Sequence, residues 1–282
     1  MPGTLYLCAT PIGNLKDMTE RVIETLKNAD LIAAEDTRNS IKLLNHFDIH
    51  TPLTSYHDHN RFEKAEELLN LLSEGKNVAL ITDAGTPAIS DPGEVLVKRC
   101  IETGINVTSL PGASAVITAL TLSGLSTERF AFEGFLPKDN GKRKELLSEL
   151  SKEKRTLVLY EAPHRLKKTL SELREAFGNR RIAICRELTK IHEEVIRMTL
   201  DEAEAYYEEA APRGEFVLVI EGRSPEEEKK EQEERFKELS VKEHVEMYEK
   251  QGMDRKEAMK AVSKERGIPK REVYSECIKS DT

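Results

Sequence analysis

Three short apolar runs in the first 120 residues end abruptly at loops rich in Gly and Pro, and this pattern constrains the fold most. The loops after these runs read Pro11-Ile-Gly, Gly85-Thr-Pro and Pro111-Gly. Apolar runs of this kind, with β-branched side chains and flanking turn residues, are typical of buried parallel strands. In open α/β sheets, ligands bind at the carboxyl ends of the strands, and Gly allows close approach to the backbone. The pattern predicts a small-molecule site, although Gly and Pro also end strands that bind nothing.

Strands and helices alternate along most of the chain, which predicts an α/β fold with a parallel sheet in the first half. From Arg223 the sequence becomes rich in Glu and Lys, and around Gly267 it reads as helix, turn, helix. The strands are expected at 4–9, 30–34, 77–82, 105–109, 130–134, 156–160, 181–185, 194–198 and 215–221. The domains are expected to be an N-terminal α/β domain over 1–112, a C-terminal α/β domain over 113–223, and a linker with a helical tail over 224–282.

The composition describes a protein with a polar surface. Of the 282 residues, 38% are hydrophobic and 33% are charged, and no apolar run approaches the roughly 18 residues of a membrane span. The N-terminus has no basic region followed by an apolar stretch, so we expect no secretory signal, no membrane association and a cytoplasmic location. The four cysteines are scattered without disulfide or metal-ligand spacing, so no metal is expected.

The net charge of −8 conceals a basic block. Residues 137–190 contain 15 Lys and Arg but only eight Asp and Glu. A local excess of this size predicts a surface that faces phosphates, with Arg143 and Lys144 as members. A solvated helix face explains the same residues equally well.

Loop motifs spread along the chain carry a resemblance to a known family. They read Ala9-Thr-Pro-Ile-Gly-Asn-Leu15, Ala34-Glu-Asp-Thr-Arg38, Ser55-Tyr-His-Asp-His-Asn60, Thr82-Asp-Ala-Gly-Thr-Pro-Ala-Ile-Ser-Asp-Pro-Gly93, Leu110-Pro-Gly-Ala-Ser114, Gly134-Phe-Leu-Pro137 and Tyr160-Glu-Ala-Pro-His-Arg165. With these motifs the chain resembles the tetrapyrrole methylase superfamily, in particular its small-subunit ribosomal RNA (cytidine-2′-O)-methyltransferases. The resemblance implies two α/β domains of tetrapyrrole-methylase type with a cofactor cleft between them, and a small helical C-terminal appendage.

The same resemblance implies the activity and its partners. The expected reaction is methyl transfer from S-adenosylmethionine to the ribose 2′-hydroxyl of a decoding-centre cytidine in 16S rRNA of the small ribosomal subunit. The expected form of the protein is a homodimer. The chain contains no GxGxxG motif, which argues against the ordinary Rossmann-type methyltransferase fold.

Site residues are carried over from the family motifs. The resemblance implies that these residues bind the cofactor: Pro11, Gly85, Thr86, Pro87, Ile89, Ser114, Ala115, Glu161, Leu188 and Val217. For catalysis we expect Asp36, Arg38, Glu161 and Arg165, because a general base would remove the hydroxyl proton and an Arg would hold phosphates. A helix cap or an ion pair explains each of these acids equally well.

Three other functions stay open at this stage. A small-molecule methyltransferase of the same superfamily would act on a tetrapyrrole, but the aromatic content of 5% and the basic block disfavour it. A diphthine-synthase-like enzyme that modifies a protein fits the loop motifs poorly. A non-enzymatic RNA-binding assembly factor is compatible with the tail and the charge pattern. Only the three Gly/Pro loops, which predict a small-molecule site, argue against it.

Overall fold

The computed structural model describes residues 1–230 and 239–279. Residues Met1–Gly222 form one compact unit, and a second unit begins at Arg223. The expected domain boundary at 112 and 113 falls between two separate sheets of the first unit, and the domain limits stay a prediction. Of the expected linker, residues 225–230 are helical, whereas 231–238 lie outside the described residues.

The first sheet is entirely parallel, as the alternating sequence predicts. Its strand order is β3-β2-β4-β1-β5. The strands are β1 (Thr4–Cys8), β2 (Leu31–Ala34), β3 (Leu53–Ser55), β4 (Val78–Ile81) and β5 (Asn106–Leu110). Helices α1 (Glu20–Asn28), α2 (Thr37–His46), α3 (Arg61–Ser73) and α4 (Glu94–Glu102) connect them. Because β1 lies between β4 and β5, the three Gly/Pro loops emerge side by side at one edge of the sheet.

Alternate residues of the central strands enter two separate hydrophobic cores. Val78 and Leu80 of β4 pack with α3 and α4, whereas Ala79 and Ile81 pack with α1 and α2. This two-residue alternation follows from strand geometry, in which successive side chains point to opposite faces. Both faces of the sheet are therefore covered, which leaves its carboxyl edge as the place where a ligand can bind.

The second sheet is mixed, with the order β6-β7-β10-β8-β9. Its elements are α5 (Ala115–Ser123), β6 (Phe130–Phe135), α6 (Asn140–Leu150), β7 (Thr156–Glu161), α7 (Leu166–Phe177), β8 (Arg181–Arg186), β9 (Glu194–Thr199), α8 (Leu200–Glu209) and β10 (Phe216–Ile220). Strands β6 and β7 are parallel, and the other pairs are antiparallel. One face packs against α6, α7 and α8, while the other packs against α5.

All nine strands named from the sequence occur, with ends that differ from the predicted ones by one residue at most. The short β3 falls in the segment after Pro52. Besides the helical residues 225–230, the described part of the tail unit contains three helices: α9 (Val241–Lys250), α10 (Arg255–Arg266) and α11 (Lys270–Lys279). Val245, Val262 and Val273, one from each helix, meet in its core. Within residues 1–230 and 239–279, every helix is too short or too polar to traverse a lipid bilayer.

Candidate functional site

A cavity of about 440 Å³ opens between the carboxyl edge of the first sheet and the α5-facing side of the second. Its volume lies within the range of about 300–1,000 Å³ that is usual for small-molecule sites. The first sheet contributes the loops after β1 and β4, and α5 contributes Ser114 and Ala115 at its start. The three loops that the sequence pattern singled out therefore line one cavity.

The floor of the cavity is a row of directly paired residues on four neighbouring strands. Val217 of β10 pairs with Tyr160 of β7 on one side and with Cys185 of β8 on the other. Phe135 of β6 pairs with Tyr160 in turn. Paired residues present their side chains on the same face of a sheet, so these four side chains form a continuous apolar and aromatic surface. Phe135 and Tyr160 lie in the family motifs and Cys185 lies in an expected strand, but none of the three is among the expected cofactor or catalytic residues, because only the strand register reveals that they align with Val217.

Most of the residues expected to bind the cofactor come together at this cavity. Eight of them line it: Gly85, Thr86, Ile89, Ser114, Ala115, Glu161, Leu188 and Val217. The other two lie at its border. Pro11 is buried beside Ile12, which lines the cavity, and Pro87 faces a separate shallow hollow on the neighbouring surface. Their roles as cofactor ligands stay predictions.

Backbone contacts hold the first two loops together. Thr10 and Gly85 exchange two backbone hydrogen bonds, with N···O distances of 2.9 and 3.1 Å. Gly85 has φ of +80°, a conformation that a residue with a Cβ adopts only with strain. The loop from β1 and the loop from β4 therefore form one preorganised wall, and that wall depends on Gly at position 85.

The loop after β4 also contains two strained residues. Ala88 and Ser90 have φ of +68° and +63°. A Cβ on Gly93 would lie 2.9 Å from the Cβ of Ala88, so the loop folds tightly back on itself there. Such strain persists only where the surroundings over-determine the backbone, and it is concentrated at functional sites.

Two of the four expected catalytic residues lie away from the cavity. Asp36 is the N-cap of α2, and its carboxylate accepts a hydrogen bond from the backbone N–H of Arg38 at 2.9 Å. The Arg38 guanidinium lies 2.7 Å from the same carboxylate and lowers the pKa of Asp36 to about 2. Neither residue lines the cavity. Their catalytic roles stay predictions, and their contacts are those of a capped helix start.

Glu161 and Arg165 belong to a buried polar network. The Glu161 carboxylate accepts hydrogen bonds from the Thr169 hydroxyl at 2.5 Å and from the Ala162 N–H at 2.8 Å. Arg165 lies 3.6 Å from Glu161 and donates to the carbonyl of Leu136. Phe216, which pairs with Glu161, packs in the core against α6, α7 and α8. The Glu161 side chain therefore points toward α7, and its role as a proton acceptor stays a prediction that these contacts do not favour.

Several arginines of the basic block are buried or paired with acids and do not face outward as a phosphate-binding surface requires. Arg143 is only 3% exposed; it forms an ion pair with Glu172 at 2.5 Å and donates to Thr169 at 2.6 Å. Arg180 is also buried, and Arg155 and Arg181 pair with acidic neighbours. Arg143 is thus wrongly placed in a phosphate-facing surface, whereas Lys142 and Lys144 are exposed. A count along the sequence cannot separate arginines that pair inside the fold from lysines that face water.

Asp91 also lines the cavity, although it is not among the expected site residues. Burial raises its pKa to about 7, and the carboxylates of Glu35, Asp83 and Asp58 contribute to the rise. Burial also raises the pKa of Glu35. Glu35 and Asp58 follow β2 and β3, whereas Asp83 and Asp91 belong to the loop after β4, so the proximity of the four acids has no signature in the sequence. In the described part of the chain, no group of three or more His, Cys, Asp or Glu side chains is arranged to hold a metal ion.

Comparison with known proteins places the chain in a family. A family model described as tetrapyrrole (corrin/porphyrin) methylases matches residues 4–204. The chain belongs to the tetrapyrrole methylases. It is 54% identical over 274 residues to the ribosomal RNA small subunit methyltransferase I of Halalkalibacterium halodurans, with 97% of this chain and 94% of the relative covered. It is 50% identical to the protein of the same name from Synechocystis, with 96% of each covered.

Solved structures agree with the fold of a tetrapyrrole methylase. A crystal structure of diphthine synthase superposes with a TM-score of 0.61 at 13% identity and covers 79% of this chain and 91% of that one. At this identity the likeness concerns the fold alone. The expected architecture of two α/β sheets with a helical C-terminal part is confirmed.

Proposed function

We propose that this tetrapyrrole methylase transfers a methyl group from S-adenosylmethionine to the ribose 2′-hydroxyl of a cytidine in small-subunit ribosomal RNA. The names of relatives at about half identity over nearly the whole chain support the reaction and the RNA partner. The cytidine 2′-hydroxyl and the 16S decoding centre are what the family resemblance of the loop motifs implies. The proposal places the protein in the cytoplasm, where ribosomal subunits are found.

The chemical character of the cavity carries the proposal. Its ionisable lining residues are Asp91, Tyr160, Cys185, Glu161 and Glu215, with no Lys, Arg or His among the described residues that line it. A cavity with carboxylates and no cation favours a positively charged guest. S-adenosylmethionine is such a guest, because its sulfonium and ammonium groups outweigh its single carboxylate.

The residues present fit this donor. Gly85, Thr86 and Ser114 would offer backbone groups to its amino-acid part, since a Gly at 85 leaves the backbone accessible. Leu188 and Val217 would cover the adenosine. When bound, S-adenosylmethionine supplies an electrophilic methyl group that the ribose oxygen attacks as the C–S bond breaks and its electron pair returns to sulfur. The walls of the cavity would position the methyl donor and the ribose hydroxyl. Such positioning can lower the activation free energy by up to about 7–11 kcal/mol.

The proposed active form is a homodimer. Strand β5 is an open edge of the first sheet, and beside it lies a shallow hollow of about 590 Å³ lined by Leu7, Val97 and Ile101. Ile101 is 66% exposed. An apolar surface next to an unpaired strand edge suits a second copy of the chain. Analytical ultracentrifugation should give a dimer that Ile101→Asp shifts toward monomer, and a monomeric wild type at micromolar concentration would exclude this form.

A methyl-transfer assay tests the function. Purified protein is incubated with tritiated S-adenosylmethionine and with small ribosomal subunits from a strain that lacks this methylation. The proposal expects label in 16S rRNA, recovered as a 2′-O-methylated cytidine after nuclease digestion. Label on a base, on ribosomal protein or on an added tetrapyrrole would favour a rival activity. Binding to subunits with no transfer would favour an assembly factor.

A further inference from the structure

Asp91 differs from the other two carboxylates that line the cavity. Glu161 is engaged by Thr169 and Ala162, and Glu215 forms an ion pair with Lys190 at 2.8 Å. Among the described residues, none forms a hydrogen bond or ion pair with the Asp91 carboxylate. Asp91 is therefore the one lining carboxylate whose lone pairs are available to a bound molecule.

The backbone on both sides of Asp91 is conformationally restricted. It follows Ser90, whose φ is +63°, and precedes Pro92, whose ring fixes the next φ. Ser90 in turn abuts the second sheet, because a Cβ on Gly134 would lie only 3.1 Å from the Ser90 hydroxyl. The β6–β7 pairing shifts register at this point, between Phe132 and Gly134. Bulges of this type redirect side chains next to active sites.

An exposed aromatic ring lies on the next residue of that bulged strand. Phe135 lines the cavity and is 53% exposed, and its ring centroid lies 5.5 Å from that of Tyr160. Ile89, from the same loop as Asp91, is 51% exposed. Large apolar side chains that stay exposed at a cavity mouth mark a contact surface, and aromatic rings stack on nucleobases.

We propose that Asp91 accepts the proton of the attacking ribose hydroxyl, from a nucleoside whose unstacked base rests on Phe135. This inference depends on the proposed function and names the substrate contacts of that site. In the step, the ribose oxygen forms a bond to the methyl carbon, the methyl–sulfur bond breaks with its electrons going to sulfur, and the hydroxyl proton moves to the Asp91 carboxylate. Charge balances, because a cation and a carboxylate give a neutral thioether and a neutral carboxylic acid.

The electrostatic surroundings suit a proton acceptor near neutral pH. Burial and the carboxylates of Glu35, Asp83 and Asp58 raise the pKa of Asp91 to about 7, and a general base works best when its pKa is close to the working pH. From the second sheet, burial and the charge of Asp91 raise the pKa of Tyr160 to about 12, so the phenol stays neutral. A bound sulfonium would lower the pKa of Asp91, because an opposite charge favours the ionised form. The donor should therefore bind more tightly as pH rises through 7.

The central experiment compares Asp91→Asn with Asp83→Asn, an exposed acid of the same loop that does not line the cavity. Single-turnover methyl transfer to small subunits is measured from pH 5.5 to 9, and donor affinity is measured by calorimetry over the same range. We expect Asp91→Asn to lose about 100-fold or more in rate, to bind the donor with the weaker affinity that the wild type shows at low pH, and to lose the pH dependence of both measurements. Asp83→Asn should keep its rate and move the pH midpoint downward, because one negative neighbour is removed.

Phe135→Ala tests the base contact, with Phe130→Ala on the same strand as its control, since Phe130 is 37% exposed and does not line the cavity. We expect Phe135→Ala to raise the KM for the subunit about tenfold, with unchanged donor affinity, and Phe135→Tyr to restore it. Equal KM values for the two alanine variants would overturn the stacking contact.

The outcomes separate this inference from the function on which it depends. A wild type that methylates no ribosomal RNA overturns both. A wild type that methylates the cytidine, together with an Asp91→Asn variant of equal rate and unchanged pH profile, overturns the assignment of Asp91 alone.

Discussion

Gly85 and Asp91 lie in one loop but serve the cavity in different ways. Gly85 provides a backbone without a side chain, and Asp91 provides a carboxylate open to a bound molecule. The first role is visible in the sequence, because Gly and Pro at the end of an apolar run have a direct conformational meaning. The second is not visible, because the raised pKa of Asp91 arises from its burial and from the carboxylates of Glu35, Asp83 and Asp58, and Glu35 and Asp58 lie at the ends of other strands.

Gly85→Val should abolish binding of S-adenosylmethionine while the protein stays folded. A Cβ at this position would lie 3.5 Å from Ile12, so the added methyl groups of Val would enter the cavity. Gly104→Val is a matched control, because Gly104 has φ of +73° but has open space around it. Calorimetry should find no binding to the first variant and normal binding to the second. Normal affinity in a folded Gly85→Val protein would contradict the account.

Asp91→Asn should stabilise the protein, and more so at high pH. The pKa of Asp91 is about 7 in the folded chain, whereas an aspartate in the unfolded chain has an ordinary pKa of 3.8. Between these values the folded protein binds more protons than the unfolded chain, so the stability of the wild type falls as pH rises from about 4 to 7. The Asp91→Asn variant has no carboxylate at this position, so its stability does not fall in this way between pH 4 and 7. Its Tm should exceed that of the wild type at pH 8, with a smaller difference at pH 5, and a difference that does not change with pH would argue against the raised pKa.

The packing of strands and helices decides which side chains become neighbours, whereas the sequence gives only the residue types. The register of β6, β7, β10 and β8 aligns Phe135, Tyr160, Val217 and Cys185 into the floor of the cavity. The sequence predicts each strand to within one residue, but it does not say which strands are neighbours. Arg143 shows the same limit, because its contact with Thr169 joins α6 to α7 and exists only once the two helices pack.

Thr169→Val should destabilise the second sheet without removing a contact to the donor. The Thr169 hydroxyl is fully buried; it accepts a hydrogen bond from Arg143 and donates one to Glu161. Its loss would leave two buried charged groups short of a partner, at a cost of about 2–3 kcal/mol. Denaturant unfolding should show this loss, and Ser171→Ala on the exposed side of α7 should show almost none. Equal free energies of unfolding for Thr169→Val and the wild type would mean that the Arg143–Thr169–Glu161 network contributes little to stability.

At the scale of the whole molecule, the chain divides at Gly222, and among residues 1–230 and 239–279 all those that line the cavity lie before that point. The change in composition at Arg223 predicts this division, because a Glu/Lys-rich segment cannot build a core with the sheets. The pairing of the two sheets around one cavity was expected from the family resemblance, and no pattern in composition or periodicity predicts it.

A protein that ends at Gly222 should bind S-adenosylmethionine as tightly as the full chain, within about twofold. The lining residues that the structure describes all lie within 1–222, so removal of the tail takes away none of these residues. Calorimetry on both forms, with circular dichroism as a check of folding, provides the comparison. A folded truncated protein that binds the donor at least tenfold more weakly would show that the tail contributes to the site.

The crystal structure of the complex with S-adenosylmethionine tests the central claim most directly. The account predicts density for the donor between the Gly85–Thr86 loop and the Tyr160–Val217–Cys185 row, with its methyl group toward Asp91 and Phe135. Donor bound outside this cavity, or bound inside it with the methyl group turned away from Asp91, would contradict the account.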